Sequence, residues 1–466
     1  MSEHRLAPGT HVHLVGVGGA GMNALAQVLL ERGHTVSGSD LRGGGGTAAL
    51  QAMGADVRVG HSAEHVGDAS LVVVSAAIPT SNPEVEAAVD QGIPVIRRAE
   101  LLAALIEGYR GLLVAGTHGK TTTTAMTTVA LQAAGLDPSF AIGGRLHEAG
   151  TSAHHGTGDV FVAEADESDS SFLVFAPDCA IVTNVDLDHH DHYRNLEAVD
   201  RAFDAFLANR PASGVAVVCI DDPGGRRLVQ RVDPPVLTYG ERAEARYRVH
   251  DVELHPLGSR FRVDEQGSDL GHFDLPVPGM HNVLNAVASI AAALWAGADV
   301  EGIRAGLGSF SGTQRRFQRL GEAANVVVVD DYAHHPTELA ATVQAARQFR
   351  PDGRIVTVFQ PHRYSRTAVL GPQLGAALKG ADLAVIADVY SAGEDPVAGV
   401  TGALVADGAA AAGVPTTFVP GTEGLVEELL SVLAPGDLVL VLGAGDISEV
   451  GPILLERLRL DGREHR

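Results

Sequence analysis

Seven short β-like runs, HVHLVGV, HTVSGSD, LVVVSAAI, GLLVAG, DVFVAEAD, CAIVTNVD and VAVVCI, alternate with Ala/Leu-rich stretches over the first half of the chain. Mostly continuous apolar strands separated by helical stretches belong to parallel sheets covered on both faces, so the pattern predicts an α/β fold. At 466 residues the chain exceeds one ordinary core, and two or three domains are expected. A break falls at Glu107–Gly111, where a new strand leads into a second glycine loop. From about Leu237 to Pro278 the runs become shorter and more polar, as in antiparallel structure, and HNVLNAVASIAAALWAG then reads as helix. A further α/β set begins near Arg315 with NVVVVDDYAHHP. The expected domains are 1–108, 109–313 and 314–466.

The net charge of −23 disfavours broad nucleic-acid binding and leaves room for a small anionic ligand held by local groups. Two cysteines, Cys179 and Cys219, argue against a disulfide framework and suit a reducing cytosol. The opening MSEHRLAPGT has no apolar core, and no run reaches membrane-spanning length without charges, so a cytoplasmic protein without membrane insertion is expected. Lysine occurs only at Lys120 and Lys379.

Lys120 stands in the strongest motif. LLVAGTHGKTTTT sets Gly116, Thr117, His118, Gly119, Lys120, Thr121 and Thr122 after a strand and before a helix. Such a loop turns backbone N–H groups and a helix N-terminus toward phosphate oxygens, with the lysine on the β/γ-phosphates and the Thr121 hydroxyl on Mg²⁺. It is a shortened G-x-x-G-K-T loop, because Val114 stands where a full Walker A has its first glycine. A Gly/Thr-rich turn capping a helix is the structural alternative. The earlier Gly16-x-Gly18-x-x-Gly21, with Gly19 and Ala20 between, has the dinucleotide spacing, and Asp40 falls roughly where a ribose-binding acid belongs. These glycines suit any pyrophosphate, whether of NAD or of another ligand.

Metal ligands are expected opposite the phosphate loop, at the carboxyl ends of parallel strands. VFVAEADESDSSF supplies Glu164, then Asp166, Glu167 and Asp169; TNVDLDHHDHY supplies Asp186, Asp188, His189, His190, Asp191 and His192. Histidine with carboxylates also suits Zn²⁺ or a di-iron site, and an exposed polar turn accounts for most of these residues. Only Glu164 and one histidine are expected to act.

Ten segments together, in order, resemble the Mur ligases, which build the peptidoglycan stem peptide by ATP-dependent amide formation: GVGGAGM, GTHGKTTTT, EADESD, TNVDLDHHDHY, PGMHNVLNA, RRFQ, DDYAHHPTE, FQPHRYSRT, DVYSAGE and GAGDI. The resemblance covers essentially the whole chain and points to the branch that joins L-alanine to UDP-N-acetylmuramate. It implies an N-terminal Rossmann-like domain for the UDP-sugar, a central P-loop ATPase-like mixed α/β domain, and a C-terminal Rossmann-like domain for the amino acid. It implies ATP and Mg²⁺, small-molecule substrates, and a monomer or homodimer.

By motif, the resemblance gives catalytic roles to Lys120, Glu164, His189 and His334, and metal binding to Thr121, Glu164 and His189. The phosphate loop, His281, Asn282, Asn285, Arg316 and Asp331 would hold ATP. Gly16, Gly18, Gly19, Ala20, Gly21, Asp40, Ser75, Asn82, Arg97 and Glu100 would lie near the UDP-sugar. Tyr332, His334, Arg363 and Arg366 would hold alanine, arginine suiting its carboxylate through a two-pronged bond. Helix capping is the alternative for Asn282, and loop support for Ser75 and Asn82. Sister ligases carry a modified lysine about fifteen residues after the metal histidine; the stretch after His189 has none, as in the alanine-adding branch. The rival readings are a ligase that recycles a whole tripeptide onto the same UDP-sugar, an NAD-dependent oxidoreductase with an accessory ATP site, and a non-catalytic ATP-binding regulator.

Overall fold

The computed structural model describes residues 6–464 except 145, 147–149, 190 and 191, with side chains described to residue 460. The first sheet has five parallel strands in the order Asp56–Val59, Thr35–Asp40, His11–Val15, Leu71–Val74, Val95–Arg97. Strand order reverses between His11–Val15 and Leu71–Val74, opening a crevice at the strands' carboxyl ends, where the Gly16–Gly21 loop sits. In the central sheet, the strand Arg110–Ala115 lies between Val160–Glu164 and Cys179–Val182, all parallel. The polar stretch after Leu237 forms a meander of Tyr247–His255, Gly258–Glu265 and Ser268–Leu275. It continues the same sheet through Val236–Gly240, giving ten strands among the described residues. The third sheet has six strands, with Gln318–Ala323 as an antiparallel edge on an otherwise parallel set.

The helix Lys120–Ala133 is buried continuously from Thr121 to Leu131. Its threonines fit there because Thr124, Thr127 and Thr128 donate their hydroxyls to the carbonyls one turn back, each at 2.8 Å. It packs against Met280–Ala296 and Val300–Ser309. Gly306 permits the second approach, since a Cβ there would stand 2.7 Å from Ala130 Cα.

One apolar cluster runs through both the first and central sheets, from Val12, Leu25 and Leu102 to Phe161, Phe172 and Phe203. Helix Ala20–Glu31 lies on the strands Ser139–Ala141 and Ala153–His154, and Arg98–Ile106 lies on the short helix Ser171–Val174. The third sheet has apolar clusters of its own. Cys179 and Cys219 are unpaired and buried in central strands; burial pushes the Cys219 thiol up to about 11. No described helix is long and apolar enough to cross a membrane.

Beneath the first sheet's crevice, Glu84 is sealed from solvent. It accepts from Ser39 Oγ at 2.5 Å, His65 Nδ1 at 3.0 Å and the Ser62 amide at 3.2 Å, with His61 and His13 at 3.4 and 3.5 Å. Burial alone would raise its carboxyl; the bonds from His13, Ser39, Ser62 and His65 outweigh that and hold it at about 2. Its stabilising contribution is therefore present above the ordinary glutamate value and is lost as pH falls toward 2. Glu84→Gln is expected to cost about 3 kcal/mol in urea unfolding at neutral pH. The gap to the wild type should narrow from about pH 5 to about pH 3, and a widening gap would contradict this account.

Candidate active site

Two glycines shape the phosphate loop. Gly116 and Gly119 have φ of 133° and 83°, and a Cβ on Gly119 would meet Asn285 Oδ1 at 2.9 Å. The loop is pinned from the next strand end: Thr183 Oγ1 donates to His118 O at 2.5 Å, and the His118 amide donates to Asn184 Oδ1 at 2.9 Å. Lys120 folds back onto its own loop, donating to Gly116 O at 2.7 Å and Thr117 O at 3.3 Å, and pairs with Glu167 at 2.7 Å. Burial works against its charge, but Glu167 and Asp166 outweigh it and raise the ammonium's pKa.

Glu164 stands at the end of its strand, accepting from the Gly143 amide at 2.6 Å and from the Thr121 hydroxyl at 3.1 Å. Burial raises its carboxyl. His189, at φ 52°, places Nε2 3.5 Å from Glu167 Oε1, a buried oxygen with no hydrogen-bond partner. Thr121 and Glu164 supply oxygen donors, the chemistry a Mg²⁺-class cation takes, and the unsatisfied Glu167 oxygen next to His189 fits a cation as well. His190 and Asp191 lie outside the described residues. Glu167 and Asp188, at 1% and 4% exposure, depart from the expected exposed turn because both are folded inward onto cationic partners, Lys120 and Arg366.

A cavity of about 390 Å³ opens beside the loop, lined by His118, Thr122, His281, Asn282, Asn285, Arg316 and Asp331. Asn282 does not cap the helix Met280–Ala296; its side-chain amide donates back to Pro278 O at 2.7 Å. Asp331 accepts from the amides of Phe317 and Ala333 at 2.7 and 2.8 Å, and burial raises its carboxyl. A second cavity of about 790 Å³ gathers Gly18 and Ala20 from the first sheet's loop with Lys120, Thr121, Glu164 and His189. Arg316, Tyr332 and His334 reach it from the third domain. The guanidinium of Arg316 lies 5.1 Å above the Tyr332 ring. His334 Nδ1 faces Tyr332 O at 2.9 Å, and burial pulls the imidazole down to about 4. Arg363 opens the helix Tyr364–Ala376, 3.9 Å from Glu394, while Arg366 is buried one turn on, held to Asp188 at 3.1 Å.

In the first domain, Asp40 accepts from the Gly18 amide at 2.9 Å, and a Cβ on Gly18 would meet that carboxylate at 2.7 Å. Gly16, Gly19, Gly21 and Ser75 line a cavity of about 280 Å³ that also reaches Glu164. Asn82 is buried and caps the helix Pro83–Asp90 through the Glu84 amide at 2.9 Å. Arg97 and Glu100 are exposed and form a helix cap, with the Arg97 amide donating to Glu100 at 2.7 Å. Arg98, which motif reading passed over, lines the cavity instead.

Motif reading also left Glu338 without a role, although it lies within the quoted DDYAHHPTE. It sits 3.2 Å from His118 Nδ1, across the domain boundary. His118, Asp186 and His335 bring donor atoms within 4.8 Å of one another, a metal-like cluster. Burial opposes the charge on His118, but Glu338 and Asp186 raise its imidazole to about 9.

Family models match in sequence along the chain: Mur ligase family, catalytic domain over residues 11–110; Mur ligase middle domain over 114–293; and Mur ligase, glutamate ligase domain over 315–445. The chain belongs to the Mur ligase family. Its relatives include the UDP-N-acetylmuramate–L-alanine ligases of Acidothermus cellulolyticus, 48% identical over 96% of this chain and 94% of the relative, and of Mycolicibacterium smegmatis, 46% identical over 96% and 95%. The crystal structure of UDP-N-acetylmuramate-alanine ligase MurC from Thermotoga maritima is similar at TM-score 0.82 and 30% identity, covering 97% and 99% of the two chains. A murein peptide ligase from Psychrobacter arcticus shares the fold at TM-score 0.74 and 23% identity, with 97% and 99% covered.

A raised folded-state pKa contributes stability that is fully present below the ordinary histidine value and is lost as pH rises through about 9. The difference in thermal midpoint between the wild type and His118→Gln should therefore shrink from about pH 6.5 to about pH 9. A difference that grows over that range would remove the charged interdomain histidine.

Proposed function

We propose that this chain is an ATP-dependent ligase that joins L-alanine to the lactyl carboxylate of UDP-N-acetylmuramate in the cytoplasm, for peptidoglycan precursor synthesis. One observation carries the reading beyond family membership: groups from all three domains converge on a single cavity of about 790 Å³. A carboxylate is a poor electrophile at neutral pH, so phosphorylation by ATP supplies the leaving group. The amine then attacks the acyl phosphate, and the tetrahedral intermediate collapses to amide and phosphate.

Lys120 exchanges Glu167 for phosphate oxygens, and the loop amides and helix N-terminus hold the triphosphate. Thr121, Glu164 and His189 would hold Mg²⁺, which supplies charge compensation between two anionic reactants. Arg316 brings a cation from the third domain. Asn285 and His281 line the nucleotide side, and Gly16, Gly18, Gly21 and Ser75 take the UDP-sugar pyrophosphate. His334 is neutral at physiological pH. With Nδ1 donating to the Tyr332 carbonyl, its Nε2 lone pair is the proton acceptor for the alanine ammonium. Arg363 and Arg366 would take the alanine carboxylate, Arg366 exchanging Asp188 for it. The buried, unpaired cysteines agree with a reducing compartment.

Phosphate release should require ATP, UDP-N-acetylmuramate and L-alanine together. Turnover without alanine, or equal turnover with tripeptide, would overturn the assignment. Lys120→Ala is expected to lower turnover by roughly 1,000-fold or more while UDP-sugar binding, measured by calorimetry, persists. His334→Gln should block amide formation yet allow the acyl phosphate to form; if both steps survive, the proton-acceptor role is wrong.

A further inference from the structure

The third domain meets the central one through side-chain links. Thr337 Oγ1 donates to Asp186 at 2.9 Å, Arg366 holds Asp188, and Glu338 faces His118. Glu338 makes the most of these connections. One oxygen takes His118 Nδ1 at 3.2 Å, and Arg316 stands 4.0 Å away. The other accepts the backbone amides of His334 and His335 at 3.0 and 3.3 Å and faces His334 Nδ1 at 3.4 Å. The carboxylate is 13% exposed and lines both larger cavities.

A capping box at the start of Pro336–Phe349 accounts for the backbone bonds alone. It does not account for a contact with the phosphate loop of another domain. His118 directly precedes Gly119, whose left-handed φ sets the loop's last turn, and its own amide and carbonyl are fixed to Asn184 and Thr183. Its side chain is the one part of that residue the third domain reaches.

Resting on the ligase reading above, we propose that Glu338 is a positioning residue that couples the alanine-binding domain to the phosphate loop. It sets His118 on one side and the His334 backbone on the other, so the loop takes its working geometry only when the third domain is docked. ATP is thereby kept from productive transfer while the acceptor amine's binding domain is away.

The test compares Glu338→Gln, His118→Gln and the double variant with the wild type, using steady-state kinetics and UDP-sugar binding. Glutamine still serves a capping box, so the helix start should survive, and the thermal midpoint should fall about as far as in His118→Gln, since both variants lose the same pair. Each single variant is expected to lose roughly 10- to 100-fold in kcat and to raise KM for ATP, with UDP-sugar affinity unchanged. The double variant should lose no more than the worse single, because the two residues act through one contact. Wild-type kinetics in Glu338→Gln, or losses that multiply in the double variant, would overturn the coupling. An inactive wild type in the same assay would instead remove the ligase reading itself.

Discussion

The first two domains share an apolar core, and the third is joined to them by charge. That asymmetry orders everything else in the molecule. Helices of the first domain bury leucines and valines against the central sheet, a contact that strengthens with area and cannot be opened without exposing it to water. Thr337–Asp186, Glu338–His118 and Arg366–Asp188 are polar links across the other boundary. Exchanging such links for water costs comparatively little, so this boundary is suited to a reversible one. The Gly16–Gly21 loop and the phosphate loop thus stand in a fixed relation, while His334, Arg363 and Arg366 are carried on a separable body.

The cations of the site are met by carboxylates of the chain itself. Lys120 rests on Glu167, Arg366 on Asp188, and His118 between Glu338 and Asp186. Each stands at ion-pair distance from its partner. An anionic substrate entering here competes with resident carboxylates, and the negative charge it adds is what a divalent cation would offset. The Glu167 carboxylate released from Lys120 stays buried next to His189.

Much of this was legible in the sequence because it is written in local patterns. The two glycine loops, the strand runs and the ordered motifs each occupy a few consecutive residues, and their backbone geometry follows from glycine at positive φ and from apolar periodicity. Partnerships across domains were not legible. Arg366 was placed by its motif on alanine, yet its guanidinium holds Asp188, 178 residues away in sequence. Glu338 drew no role from its motif, since nothing in DDYAHHPTE says that a histidine of another domain will face it. Asn82, Arg97 and Glu100 carry a local signal as well: Asn82 precedes a proline-initiated helix, and Arg97 and Glu100 have the spacing of a helix cap.

The two cysteines carry a consequence for watching the molecule work. Both thiols lie inside central strands, where burial suppresses the thiolate that alkylating reagents and oxidants require. The native chain is therefore chemically silent toward thiol probes. A single cysteine placed on the solvent face of the third domain, paired with another on the first, would give a two-dye distance ruler without removing either native cysteine. The separation of the third domain from the rest can then be followed one molecule at a time.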